Sequence, residues 1–299
     1  MRDAETAMAD PVIALQRVTL RYPTAPGPTL HDVSLRVEPG EFVGIVGSTG
    51  SGKSTLLYLL AGVIPHYVRA DIQGDVLLYG RPTRELSLAR VTEKVGLVLQ
   101  DPEAQLFNLF VRDELAWGLE NRGLPREEIA ARIAATLVFF GIEKLEERIT
   151  YDLSGGEKQR VALAAVRATA PDVYLFDQPT SQLDPIGAAQ VIAAIRRLAE
   201  RHRNTIVMVE DKVDELVEHA DRLVLLDRGR IVLDAAPREF CLRTDLLAAA
   251  GVRPTQMAEL SHDLIAAGVP LDGPPITLDE MVAALRKVLS VPGGDEPAR

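Results

Sequence analysis

Short apolar runs of strand length alternate along this chain with stretches whose apolar positions recur at helical spacing. Phe42–Val46, Val95–Leu99, Val173–Phe176, Thr205–Val209 and Leu223–Leu226 are nearly unbroken, the pattern of strands covered on both faces in a mostly parallel sheet. Between Asp101 and Ala170 the strand pattern stops. Leu115, Leu119, Ile129, Ile133, Leu137 and Phe140 there fall at spacings that bury one side of a helix. An α/β fold with a helical subdomain inserted over 101–170 follows. Leu223–Leu226 and Ile231–Leu233 flank Asp227, Arg228, Gly229 and Arg230, which suits a hairpin, and strand patterns then cease, placing a boundary near Pro237.

The remainder reads as helical. Met257, Leu260, Leu264 and Ile265 share one helical face, and a second helix is expected from Thr277. Thr277 and Glu280 have the capping-box spacing, in which hydroxyl and carboxylate each satisfy a free backbone N–H. Met281, Leu285, Val288 and Leu289 form its expected apolar face. These residues alone serve equally as an appendage packed on its own domain or as a dimerisation surface. The organisation expected is a disordered segment 1–10, a main domain 11–237, a helical extension 238–291 and a frayed, Gly- and Pro-rich tail 292–299.

Composition narrows the class. At 299 residues, 47% hydrophobic and 25% charged, the chain has an ordinary soluble globular make-up. Its longest apolar run, Leu56–Pro65, is about half of the ~20 residues a membrane span needs. Asp3, Glu5 and Asp10 stand where a secretory signal would carry basic and apolar residues, so a cytosolic location is expected. A single cysteine, Cys241, rules out an internal disulfide, and five scattered histidines suggest no structural zinc. The net charge of −10 disfavours a nucleic-acid partner.

The chemistry concentrates in a glycine-rich segment. Gly47, Ser48, Thr49, Gly50, Ser51, Gly52, Lys53 and Ser54, followed by Thr55, match the P-loop pattern between strand Phe42–Val46 and a helix expected over Ser54–Ala61. Glycines let backbone wrap phosphates, a helix N-terminus offers free N–H groups, Lys53 reaches the β- and γ-phosphates, and the Ser54 hydroxyl can ligate Mg²⁺. ATP is therefore the expected ligand. Asp177 closes an apolar strand, where an acid would stand beside the Mg²⁺.

Leu153–Arg160, reading Leu-Ser-Gly-Gly-Glu-Lys-Gln-Arg, resembles the signature segment of ABC ATPases. By itself it is a helix start with Ser154 as N-cap, a second anion-binding device. The resemblance implies that Ser154, Gly155 and Gly156 bind the γ-phosphate held by a second ABC ATPase subunit. It further implies that Tyr22 stacks on adenine, that Gln100 links the metal site to a membrane partner, and that Ser181–Asp184 form the D-loop; Tyr22 taken alone reads as core packing. The ordered resemblance spans roughly residues 11–237. Gln100–Phe107, Ile64–Tyr67 and the extension from Gly251 to Leu289 are similar to energy-coupling-factor ATPases, including those of cobalt importers. That likeness implies a P-loop ABC ATPase core, an antiparallel β edge subdomain, and an α-helical C-terminal extension that helps pair the ATPases. It also implies a transmembrane T component, a substrate-capturing S component, and a peripheral place on the cytoplasmic face of the membrane.

Two positions depart from the family. Gln178 stands where a glutamate would polarise the attacking water, and an amide cannot accept its proton. Asp211 stands where the switch histidine would be, and an ionised carboxylate offers the γ-phosphate no donor. A naturally degenerate site that holds ATP while a partner hydrolyses explains both. A laboratory Glu-to-Gln change would explain Gln178 alone, and a third reading makes Asp211 the replacement base. Rival functions are a soluble ABC ATPase acting on DNA or ribosomes, which would bring long coiled-coil insertions or paired domains, and a non-catalytic ATP-dependent dimerisation or regulatory module. A P-loop kinase would leave Leu153–Arg160 without a role.

Overall fold

The computed structural model describes residues 10–202 and 204–290, so the expectations for most of segment 1–10 and for the tail 292–299 lie outside the described residues. Ten strands are β1 (Ile13–Arg21), β2 (Leu30–Val37), β3 (Phe42–Val46), β4 (Asp71–Leu78), β5 (Arg81–Pro82), β6 (Val95–Val98), β7 (Val173–Asp177), β8 (Thr205–Glu210), β9 (Arg222–Asp227) and β10 (Arg230–Ala235) among the described residues. The helices are α1 (Lys53–Leu60), α2 (Val63–His66), α3 (Leu88–Thr92), α4 (Val111–Glu120), α5 (Arg126–Phe140), α6 (Gly155–Ala168), α7 (Pro185–His202), α8 (Pro237–Leu242), α9 (Thr244–Ala249), α10 (Gln256–Ala266) and α11 (Leu278–Ser290).

A six-stranded sheet runs in the order β10-β9-β3-β8-β7-β6, parallel except for the edge strand β10. Its unbroken apolar runs feed two cores at once. Phe42, Val46, Tyr174, Phe176, Ile206, Met208, Leu223 and Leu225 join the core that contains the helical subdomain. The alternate residues Val43, Ile45, Leu175, Val207, Val209, Val224 and Leu226 face α1 and a four-stranded antiparallel sheet of order β2-β1-β4-β5. The two-residue turn from β9 to β10 holds Arg228 at φ 45° and Gly229 at φ 75°, the left-handed pair that matches hairpin twist. Leu115, Leu119, Ile133, Leu137 and Phe140 are buried across α4 and α5, with Ile129 half-buried at the rim.

Beyond β10 the chain stays on the same core, to which Phe240, Cys241, Leu247, Val252, Ala258 and Ile276 contribute. Of the two uses open to the apolar face of α10, packing on its own domain is not what this chain shows for Leu260 and Ile265. Ala258 and Ser261 are buried, whereas Leu260 and Ile265 are 39% and 47% exposed. Small side chains let α10 approach the 275–276 segment, where Ser261 Oγ lies 2.7 Å from the carbonyls of Met257 and Pro275. On α11, Met281 is buried but Leu289 is 83% exposed. The capping box at this helix is half formed. Thr277 Oγ1 accepts the Glu280 N–H at 3.3 Å, but the Glu280 carboxylate takes the N–H of Ile276 at 2.9 Å and pairs with Arg238 of α8.

Candidate functional site

Four neighbouring parallel strands, β3, β8, β7 and β6, end at one edge of the sheet, and each delivers one piece of a site: the P-loop, Asp211, Asp177 with Gln178, and Gln100. The glycines of the P-loop answer steric demands. A Cβ on Gly47 would lie 2.2 Å from the Leu226 carbonyl oxygen, and Gly50 and Gly52 hold φ at +81° and +107°. Gly52 caps α1 without a side-chain acceptor, so the first N–H groups of α1 remain available to an anion. Thr29, Gly50, Lys53, Ser54, Gln100 and Gln178 are among the residues lining the resulting cleft of about 360 Å³. Thr29 escaped the sequence reading because it comes from the β1–β2 connection, outside any motif.

Lys53 is buried; its Nζ donates to the carbonyls of Gly47 (2.7 Å) and Ser48 (3.0 Å) and forms an ion pair with Asp211 Oδ1 (3.0 Å). The same Asp211 oxygen accepts from Gln178 Nε2 at 2.9 Å, and Gln178 Oε1 accepts from Gln100 Nε2 at 2.9 Å. Gln178 sits at φ 45°, with its N–H on the Val209 carbonyl at 3.0 Å. The two positions expected to depart from the ABC ATPase pattern are thus bonded to each other. Gln100, expected at the metal, is turned to Gln178.

Asp177 is buried at the end of β7, and its Oδ1 has no hydrogen-bond partner among the described residues. Burial raises its carboxyl above the usual range, opposed by the Ser54 hydroxyl and the Lys53 ammonium. A buried, unsatisfied carboxylate oxygen beside a serine hydroxyl fits Mg²⁺, a hard cation that takes few protein oxygens and completes its shell with phosphate and water. Tyr22, just past β1, packs against the smaller core and lies 3.1 Å by its hydroxyl from Thr55 Oγ1, so core packing and proximity to the cleft coexist.

Ser154, Gly155 and Gly156 do not join this cleft. They open α6 on the surface, where Ser154 and Glu157 form a complete capping box and the Ser154 N–H and hydroxyl hold the Glu157 carboxyl below its usual range. Ser181 and Leu183, expected in the D-loop, line a second cavity, of about 730 Å³, which shares Gln178 and Asp211 with the first. Glu210 forms part of its wall. That carboxyl is buried against the Thr180 hydroxyl at 3.0 Å, and burial, reinforced by Glu215, pushes it up to about 8. In the sequence Glu210 is only the polar end of an apolar strand. Beside the loop after Gln100, Phe107 and Trp117 meet edge to face at 4.9 Å while staying about half exposed.

Comparison with known proteins agrees with this geometry. The family model for ABC transporters matches residues 30–181. A Pyrococcus abyssi protein provisionally named an ABC transporter ATP-binding protein is 39% identical over 278 residues, covering 93% of this chain and 99% of its own. A relative from Methanosarcina mazei with the same provisional name is 39% identical over 254 residues, 85% of this chain but 43% of its own. Among solved structures, cbiO1 of Clostridium perfringens, part of the ABC transporter complex cbiONQ, superposes with a TM-score of 0.71 at 26% identity, covering 86% of this chain and all of that one. A dimeric ATP-binding cassette in a post-hydrolysis state with ADP and phosphate gives a TM-score of 0.67 at 26% identity, covering 75% of this chain and 98% of that one. The chain belongs to the ABC transporter family, as an ATP-binding subunit.

Proposed function

We propose that this chain is the ATP-holding half of a pair of ATPase subunits that power an energy-coupling-factor-type importer of vitamins or metal ions. Its own P-loop hydrolyses weakly. The observation that carries the reading is the bonded pair Gln178 and Asp211 at the phosphate end of the cleft. The Gln178 amide orients a water but takes no proton from it, and Asp211 Oδ1 is already engaged by Gln178 and Lys53. The outward-facing helix end at Ser154–Gly156, by contrast, is intact and suited to complete a partner's site. In this reading Lys53 and the N–H groups of α1 grip the phosphates, and Tyr22 stacks on adenine. Ser54 and Asp177 would hold Mg²⁺, which neutralises phosphate charge when bound. Closure of two subunits on ATP, and reopening, drives a transmembrane T component fed by a substrate-capturing S component.

Several features support the assembly. The likeness to cbiO1 favours the importer type. Exposed Phe107, Leu109 and Trp117 beside the Gln100 loop offer an apolar face for a membrane subunit, and Leu260, Ile265 and Leu289 offer one for the second ATPase. In the Methanosarcina mazei relative more than half the chain lies outside the match, room for a second cassette of this size. No helix among the described residues is long and apolar enough to cross a membrane; in this reading the subunit sits peripherally, on the cytoplasmic face, against its transmembrane partner.

The proximity of Asp211 to Gln178 favours a second reading, in which Asp211 is the base. ATP turnover separates the two. With Gln178→Glu, turnover should rise on the order of 10²-fold over the unmodified chain. Vigorous turnover by the unmodified chain alone, lost in Asp211→Asn, would transfer the role to Asp211 and overturn the ATP-holding reading.

A further inference from the structure

We infer that Asp211 is an internal competitor for the phosphate-binding lysine and sets the affinity of this site for nucleoside triphosphates. The inference rests on reading the P-loop cleft as the ATP site. The Lys53 ammonium donates to the Gly47 and Ser48 carbonyls, and its charge is paired with the Asp211 carboxylate, whose Oδ1 lies 3.0 Å from Nζ. A phosphate oxygen that approaches Lys53 competes with this carboxylate for the same ammonium. The two carbonyls belong to the loop that surrounds Lys53, whereas Asp211 reaches it from the end of a different strand.

Asp211 is not held there by Lys53 alone. Gln178 donates to the same oxygen at 2.9 Å and is held in turn by Gln100 at 2.9 Å, so side chains from the ends of β6, β7 and β8 form one hydrogen-bonded row leading to Lys53. All of them line the cleft. An entering triphosphate therefore meets a lysine whose charge is already compensated, and must displace a carboxylate to reach it. Once displaced, Asp211 leaves a negative charge next to the phosphates. Both effects weaken binding, because the apparent affinity falls with the fraction of molecules in which Lys53 is open. Lys53 is 5% exposed by side chain and Asp211 is 49% exposed, so the pair is partly screened and its effect on affinity is about ten-fold.

The sign of the effect separates this role from the others Asp211 could have. If Asp211 assisted nucleotide binding or merely braced the cleft, its removal would weaken binding; if it competes, removal tightens it. The test is calorimetric titration of the full chain with the magnesium complex of a non-hydrolysable ATP analogue. The proteins compared are the unmodified chain, Asp211→Asn, Asp211→Ser and Lys53→Ala. Melting curves check that each variant is folded. Both Asp211 variants should bind about ten-fold more tightly, and Lys53→Ala should lose binding. Binding that Lys53→Ala abolishes but neither Asp211 variant tightens overturns the competitor and leaves the ATP site standing. Absence of binding in the unmodified chain and in both Asp211 variants overturns both.

Discussion

Replacing Glu210 by glutamine should remove a pH-dependent cost of folding. Glu210 is 3% exposed, shares the Thr180 hydroxyl with Glu215, and precedes Asp211 in the chain; Arg196, Lys212 and His219 line the same cavity. Burial first, and the Glu215 charge second, push its carboxyl from 4.5 up to about 8. Below pH 4.5 the folded and unfolded chains both carry the proton and nothing is lost. Between 4.5 and 8 the folded chain alone holds it, so stability falls as pH rises, by up to ~1.4 kcal/mol per pH unit. Above 8 both states are ionised and the loss is constant. Glutamine is nearly the same size, still accepts from Thr180, and does not titrate. Urea unfolding, followed by circular dichroism, should find the variant and the unmodified chain close at pH ~5, diverging by about 3 kcal/mol in favour of the variant by pH ~7.5 at equal m-value. Parallel stability profiles across that range would show that Glu210 does not carry the proton.

Two further outcomes follow from contacts away from the phosphates. Asp214 Oδ1 accepts the Gln256 N–H at 3.1 Å and so helps cap α10 from the segment after β8; Asp214→Ala should destabilise that helix by ~1 kcal/mol. Hydrogen exchange should then quicken across Gln256–Ala266 but not in the P-loop, and unchanged exchange in α10 would refute the cap. Trp117→Glu alters a half-exposed aromatic whose ring packs on the half-exposed Phe107 and not on the nucleotide cleft, so nucleotide affinity should hold and the melting temperature should change little while co-purification with membrane subunits is lost. Retained co-purification would remove Trp117 from the docking face.

The sheet was legible because its strands are covered on both faces, which leaves long apolar runs such as Thr205–Val209. The P-loop was legible because its glycines answer local demands, Gly52 through its backbone angle and Gly47 through contact with the strand beside it. In the extension, the apolar spacing of Leu260 and Ile265 served equally for packing on this domain or for a dimerisation surface; within the chain, close approach of α10 to the 275–276 segment buries Ala258 and Ser261 and leaves those two exposed. Likewise, Glu280 had the spacing of a capping box, and the nearby N–H of Ile276 and the guanidinium of Arg238 redirected its carboxylate.

The order of residues by itself determined the α/β alternation, the inserted helical subdomain, the phosphate-binding loop and the presence of an amide at 178 and a carboxylate at 211, since each depends on residues a few positions apart. Only the tertiary structure decided that Gln100, Gln178 and Asp211 bond in a row that ends on Lys53. The successive partners lie 78 and 33 positions apart in the chain. They meet because the order β3-β8-β7-β6 brings four strand ends to one edge, a proximity no local pattern encodes.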